Sequence, residues 1–204
     1  MADPARGAVT VAGDFMQQLY AGTVVNLQSC FPYAQSSELK PARLTENKRQ
    51  VPNLAAFSAN FRRKLGDTSI QVQVVPDNVP ELQRETILEA DLGERIGQIV
   101  GNISTSKSIA VISPSSTLAA DVEKRARPFV QAFFREPHYS TDNRDLVKRI
   151  YVHFTEPRPT KGLEFDVVIV THFSTFDLKD PIQAHAAYVA ITRPREQLVI
   201  LEVQ

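Results

Sequence analysis

The chain has 204 residues, 43% of them apolar and 23% charged, the values of an ordinary globular protein, which exclude a disordered tail or a fibrous repeat. Twenty-three basic residues balance 23 acidic ones, so bulk charge offers no attraction to nucleic acid, and any such binding has to be local. No apolar stretch approaches the ~20 residues that span a bilayer, the start MADPARGAV lacks the apolar core of a signal peptide, and Cys30 stands alone; the expectation is a cytoplasmic protein with no internal disulfide and no cysteine-based zinc site.

AVTVAGD, residues 8–14, reads as a short strand that stops at Gly13-Asp14, followed by a polar, proline-containing connection to residue 43. After Pro52, NLAAFSANFRRKL repeats apolar side chains at Leu54, Phe57, Phe61 and Leu65, the spacing of an amphipathic helix. SIQVQVV, residues 69–75, alternates as a half-buried strand does. Pro76 and Pro80 break the chain ahead of a helix expected over about 81–102, with Leu88, Leu92, Ile96, Ile99, Val100 and Ile103 on one face. KSIAVISPSS, residues 107–116, reads as a strand closed by a Ser/Pro turn, and Leu118, Val122, Ala126, Phe129, Val130 and Phe133 continue it as a helix. A polar loop over 135–147 precedes the strand RIYVHF; FDVVIVTHF is the next strand, AHAAYVAIT a helix and QLVILEV the last strand. Arg62-Arg63-Lys64 and Lys124-Arg125-Ala126-Arg127 fall in helical patterns and read as solvated faces. Strands alternating with helices, with apolar runs too continuous for a one-sided sheet, predict an α/β fold with a largely parallel sheet covered on both faces. In such sheets function is expected at the carboxyl ends of the strands.

Four constellations are left once the core is assigned. In GDFMQQLY, residues 13–20, a strand delivers Asp14 and then Gln17, whose amide can orient a phosphate or a water without changing charge. LTENKRQ, residues 44–50, sets Arg49 at a strand-to-helix junction, where a guanidinium can clamp a phosphate; an arginine before a helix is more often a surface ion pair. In TKGLEFDVVIV, residues 160–170, Lys161 and Gly162 form a turn, Gly162 permits close backbone approach of a ligand, and Glu164, set between Leu163 and Phe165, offers a carboxylate to a sugar hydroxyl. YVAITRPREQLVIL, residues 188–201, ends a helix at Thr192-Arg193 before a strand and so holds Arg193 on rigid elements near the sheet edge, where a charge-stabilising arginine has to sit.

In this order the four stretches resemble motifs III, IV, V and VI of the superfamily 1 helicases of the UvrD/Rep type. The resemblance implies a RecA-like fold of the P-loop NTPase type: residues 1–22 as the last strand and motif III of a first RecA-like domain, 23–43 as a linker, and 44–204 as the second RecA-like domain. It implies ATP and Mg2+ in the cleft between two such domains, and hydrolysis that drives steps along single-stranded DNA. It places Gln17, Arg49 and Arg193 at the γ-phosphate as catalytic residues, and Glu164 at the ribose with Lys161, Gly162 and Asp14 also on the nucleotide side. Glu164 and Asp166 then mark the nucleotide cleft, while Tyr20, Ser113 and Ser115 turn towards nucleic acid.

The chain departs from that pattern in several places. It has no G-x-x-x-x-G-K-[ST] loop and no Asp-Glu pair, so the magnesium ligands are expected from a missing first domain, and this chain alone is expected not to hydrolyse ATP. Lys48 stands where an aromatic residue usually precedes Arg49; Ala-Gly-Thr follows Tyr20 in place of Gly-Trp-Arg; Glu156 and Arg158 replace Thr-x-His upstream of Lys161. The stretch between residue 112 and Lys161 is too short for a large inserted subdomain, which points to smaller-insert members such as the HelD type. The partners implied are the first RecA-like domain, single-stranded DNA, and RNA polymerase or a repair complex. The competing expectation is a non-catalytic helicase-like module that binds a partner protein or nucleic acid.

Overall fold

The computed structural model describes residues 49–67, 71–76 and 79–204. Helix α1 (Pro52–Lys64) is followed by β1 (Leu82–Ile87), α2 (Leu92–Gly101), β2 (Ile109–Ile112), α3 (Ser116–Gln131), β3 (Glu136–Tyr139), β4 (Tyr151–Thr155), β5 (Phe165–Thr171), α4 (Pro181–Ile191) and β6 (Pro194–Val203). The six strands form one sheet in the order β1-β6-β5-β2-β4-β3, and every pairing is parallel. This is the predicted α/β class.

Successive residues of the central strands feed opposite faces, as the strand period of two requires. Ile109, Val111, Val167, Ile169, Val199 and Leu201 pack beneath α2 and α3; Ala110, Ile112, Val168, Val170, Leu198 and Ile200 pack beneath α1 and α4. Burial on both faces explains why FDVVIVT is apolar without alternation. Each such side chain, Phe165 for example at 1% exposure, stabilises by ~1.5–3 kcal/mol.

The path over the sheet has two legs. From β1 through β2 to β3 the chain moves outward, crossing one face by α2 and α3. From β3 back through β4 and β5 to β6 it returns across the other face. On that return only β5 to β6 uses a helix, α4; the β3–β4 and β4–β5 connections contain just the short 3-10 turns Asp145–Val147 and Arg158–Thr160. Leu146 from the first is 2% exposed in the α1/α4 core, and Leu163 from the second packs against the same cluster.

Three expectations are corrected. The segment expected as one helix over 81–102 is strand β1, a 3-10 turn at Glu89–Asp91 and then α2; β1 is drawn into the sheet by pairing with β6 from Leu82↔Leu198 to Ile87↔Val203. The strand expected at 69–75 is not formed in its described part: residues 71–76 have no regular structure, Val72 and Val74 are 68% and 91% exposed, and Gln73 is clipped instead to the Asn60 side chain by two hydrogen bonds (2.7 and 2.9 Å). The loop expected at 135–147 contains edge strand β3, which pairs with β4 and tolerates Pro137 because it has one strand neighbour. The basic runs behave as solvated faces: Arg62 pairs with Asp67, Arg125 with Asp121 and Glu89, and Arg127 with Glu123 and Glu136.

Candidate nucleotide-facing site

Three distant stretches of sequence meet at the amino edge of β5 and β6. Gln50 is 6% exposed; its amide nitrogen donates to the carbonyls of Ile191 (3.3 Å) and Pro194 (3.1 Å), and its amide oxygen accepts from Ser58 Oγ (3.1 Å). Val51 N donates to Arg195 O at 2.9 Å. These bonds staple the entry of α1 to the α4–β6 turn. They hold Arg49 so that its guanidinium reaches Glu164 Oε1 at 3.3 Å, with both side chains about one-third exposed (32% and 39%).

Arg193 organises the backbone behind this pair. It is 1% exposed, and its Nε donates to Val189 O (3.1 Å), one terminal nitrogen to Leu163 O (3.1 Å) and the other to Thr192 Oγ1 (2.9 Å). In return Phe165 N donates to Arg193 O at 3.1 Å. The residues on either side of Glu164 are thus both fastened to Arg193, which fixes the carboxylate at the rim. Beside it the sheet is irregular: Phe165 pairs with Pro194 but Val167 pairs with Gln197, so β6 carries one more residue than β5 there.

Asp166 does a different job from the one expected. Its Oδ2 accepts from both the backbone N (2.8 Å) and Oγ (2.9 Å) of Ser108, and its own N donates to Ser108 Oγ (2.9 Å), so it ties β5 to the start of β2. Burial works to raise its pKa, but the Ser108 hydrogen bonds, with Lys107 and Arg195 nearby, outweigh that and hold it below the usual carboxylate value. Of the acidic pair only Glu164 faces outward. A hollow of ≈ 170 Å³ adjoins it, lined among others by Ser108, Leu146, Arg149, His153 and Arg195.

The opposite, carboxyl edge carries a larger cleft of ≈ 900 Å³, lined by residues that include Ser116, Tyr139, Asn143, Glu156, Arg158 and Lys161. The expectation that function gathers at the carboxyl edge therefore covers only part of the site residues: Arg49, Glu164 and Arg193 assemble at the amino edge, because helix-to-strand and turn-to-strand junctions deliver them. Lys161, expected beside the nucleotide, lines the other cleft. Gly162 separates the two with φ +84°, the left-handed region that favours glycine, and nothing lies within 4 Å of where a Cβ would stand. Ser113 is corrected as a nucleic-acid contact: it is wholly buried, with Oγ 2.8 Å from Thr171 Oγ1. Ser115 is exposed and caps α3 through Leu118 N (3.3 Å). Asp14, Gln17, Tyr20 and Lys48 lie outside the described residues.

Residues 76–202, more than half of the chain, match the viral superfamily 1 RNA helicase core domain. The chain belongs to that family. Among solved structures, the C-terminal domain of a possible DNA helicase from Lactobacillus plantarum WCFS1 is similar in fold, with a TM-score of 0.54 and 17% identity over 78% of this chain and 88% of that one. No curated protein matches it. The superfamily 1 assignment agrees with the resemblance carried by the motif-like stretches, whereas the UvrD/Rep subtype is not distinguished by these matches.

Sequence reasoning missed Gln50, the residue that seats this helicase domain's Arg49. The signal was available in RQVPNL: a polar side chain one residue before the N-cap of a Pro-initiated helix, in a place where the helix start has to dock. It also missed Asn143, which only the juxtaposition of two connections brings into play. Among the described residues no group of three or more His, Cys, Asp or Glu side chains converges to hold a metal ion, and no helix is long and apolar enough to cross a membrane.

Proposed function

We propose that this domain is the second motor half of an ATP-dependent superfamily 1 helicase or translocase, presenting its amino edge to ATP held against another RecA-like domain and its carboxyl cleft to a single nucleic-acid strand. The observation that carries this reading is the meeting of three separate stretches at one edge, where Arg49 pairs with Glu164 at the rim and buried Arg193 holds the backbone behind them. The residues fit the ligand: an exposed guanidinium suits a phosphate, and an exposed carboxylate suits a ribose hydroxyl. Bound ATP supplies the anhydride bond whose hydrolysis drives domain movement, and magnesium ligands are assigned to the other domain.

The chain's own contribution is to position charge. An exposed ion pair such as Arg49–Glu164 is worth only about 0–1 kcal/mol, so exchanging the carboxylate for a phosphate, a stronger charge-assisted partner, costs little. The same exchange releases Glu164 to accept from a sugar hydroxyl. Arg193 starts from a different position, since its donors hold Val189, Leu163 and Thr192. In this arrangement it secures Glu164 at the open edge and is itself 1% exposed. That engagement favours one competing reading, a non-catalytic helicase-like module that binds a partner protein or nucleic acid.

The test uses the chain joined to a first RecA-like domain. Arg49→Ala, which removes a rim side chain and leaves the core intact, is expected to lower ATP turnover by at least about a hundredfold, as for an arginine facing a transferring phosphoryl group. Turnover within twofold of the parent in a folded Arg49→Ala protein would sink the motor reading in favour of the binding module.

A further inference from the structure

Two connections cross the same face of the sheet side by side. Residues 140–150 run from the carboxyl end of β3 to the amino end of β4, and residues 156–164 from the carboxyl end of β4 to the amino end of β5. Each lines the large cleft with its first part and the small hollow with its second: Thr141 and Asn143 then Leu146 and Arg149 in one, Arg158 and Lys161 then Leu163 and Glu164 in the other. They therefore span the distance between the two edges in parallel.

The first connection is stiff. Ser140 Oγ donates to Asp145 Oδ2 (3.2 Å), Asp142 N donates to Ser140 Oγ (2.9 Å), and Arg144 N donates to Asp142 Oδ1 (2.9 Å). Leu146 anchors it in the core, and His153 Nε2 donates to Lys148 O at 2.8 Å. The second connection turns through Gly162, at φ +84°. Asn143 bridges them: its Nδ2 donates to Pro159 O (2.9 Å) and to Lys161 O (3.4 Å), one hydrogen for each carbonyl.

We infer that Asn143 is a positioning residue that yokes the two connections, so that a strand entering the cleft at Lys161 moves them together and shifts Leu163–Phe165 at the nucleotide edge. The inference rests on the nucleic-acid reading of the cleft. Asparagine suits the role because its NH2 group satisfies two carbonyls at once. Aspartate, its isostere, loses both bonds and sets a carboxylate against two carbonyl oxygens.

The experiment records backbone amide shifts of the isotopically labelled chain on addition of a short oligothymidylate and, in parallel, oligouridylate. In the parent, amides near Thr141 and Lys161 and those of Leu163–Phe165 are expected to shift together. In Asn143→Ala and Asn143→Asp, compared with the parent at saturating oligonucleotide, the ratio of the Leu163–Phe165 shifts to those near Lys161 falls by about threefold or more. A merely structural role for Asn143 lowers the melting temperature and leaves the ratio of the two sets unchanged. An unchanged ratio in either folded variant, or parent shifts confined to the cleft, overturns the yoke alone. No shift anywhere in the parent with either oligonucleotide overturns the nucleic-acid reading and the yoke with it.

Discussion

His153 shows how one buried side chain makes stability depend on pH. Lys148 O can only accept, so Nε2 carries the hydrogen and the neutral ring keeps its lone pair on Nδ1, which is buried without a partner. Burial lowers its pKa; the Lys148 carbonyl and Asp145 pull the other way, while His138 and Lys148 add to the lowering. Tyr151 and His138 pack against it as rings, at 5.9 and 6.1 Å between centroids. Below the ordinary histidine value of about 6.5 the unfolded chain takes up a proton that the folded chain refuses, so stability falls as pH drops from about 7 towards the lowered value. His153→Gln keeps a donor for Lys148 O and removes this proton uptake. Urea midpoints at about pH 7.5 and 5.5 are expected to differ less in the variant than in the parent; an equal difference in both assigns the slope elsewhere.

Between elements, α2 and α3 pack closely side by side on one face of the sheet. A Cβ built on Gly97 falls 2.4 Å from Phe129 Cβ, and one on Gly93 falls 2.5 Å from Arg125 O, so these helices touch where the glycines are. Alanine gains about 1 kcal/mol of helix propensity over glycine, while overpacking costs about 1–3 kcal/mol. Against a backbone-fixed Cβ the steric cost wins, and Gly97→Ala is expected to be destabilising by about 1–2 kcal/mol. Gly101→Ala meets the Phe133 ring instead, which can rotate away, and its loss is expected to be smaller; thermal unfolding that ranks the two variants in the reverse order contradicts this packing. The same scale explains what could be read in advance. β2, β5 and β6 contain continuous apolar runs, α4 is apolar on nearly all sides and α3 has a helical apolar period, so these were legible, but LQRETI is made largely of helix-favouring residues and becomes β1 only by pairing with β6. QVQVV has the strand pattern but pairs with no strand among the described residues, and EPHY has little strand character yet pairs at the edge.

At the level of the whole molecule, the motif-like stretches revealed which residues to watch, but not how they divide between two edges. Glu164 and Lys161 are three residues apart in sequence and line opposite recesses, because the chain turns through Gly162 while crossing the sheet. Asp166 looked like its neighbour Glu164 in sequence and serves the fold through Ser108 instead. Long-range pairings such as Arg49–Glu164 and Asn143–Pro159 depend on topology and leave no local trace. The domain is a plate with a charged rim on one side and a cleft on the other, an arrangement suited to coupling two ligands through the connections that run between them. The decisive measurement is hydrogen–deuterium exchange of the chain joined to a first RecA-like domain, with and without a non-hydrolysable ATP analogue. Slowed exchange in peptides covering residues 49–51, 163–165 and 193–195 is the predicted result; slowing confined to residues 113–116 and 139–143, or none in this domain, contradicts a nucleotide site at the amino edge.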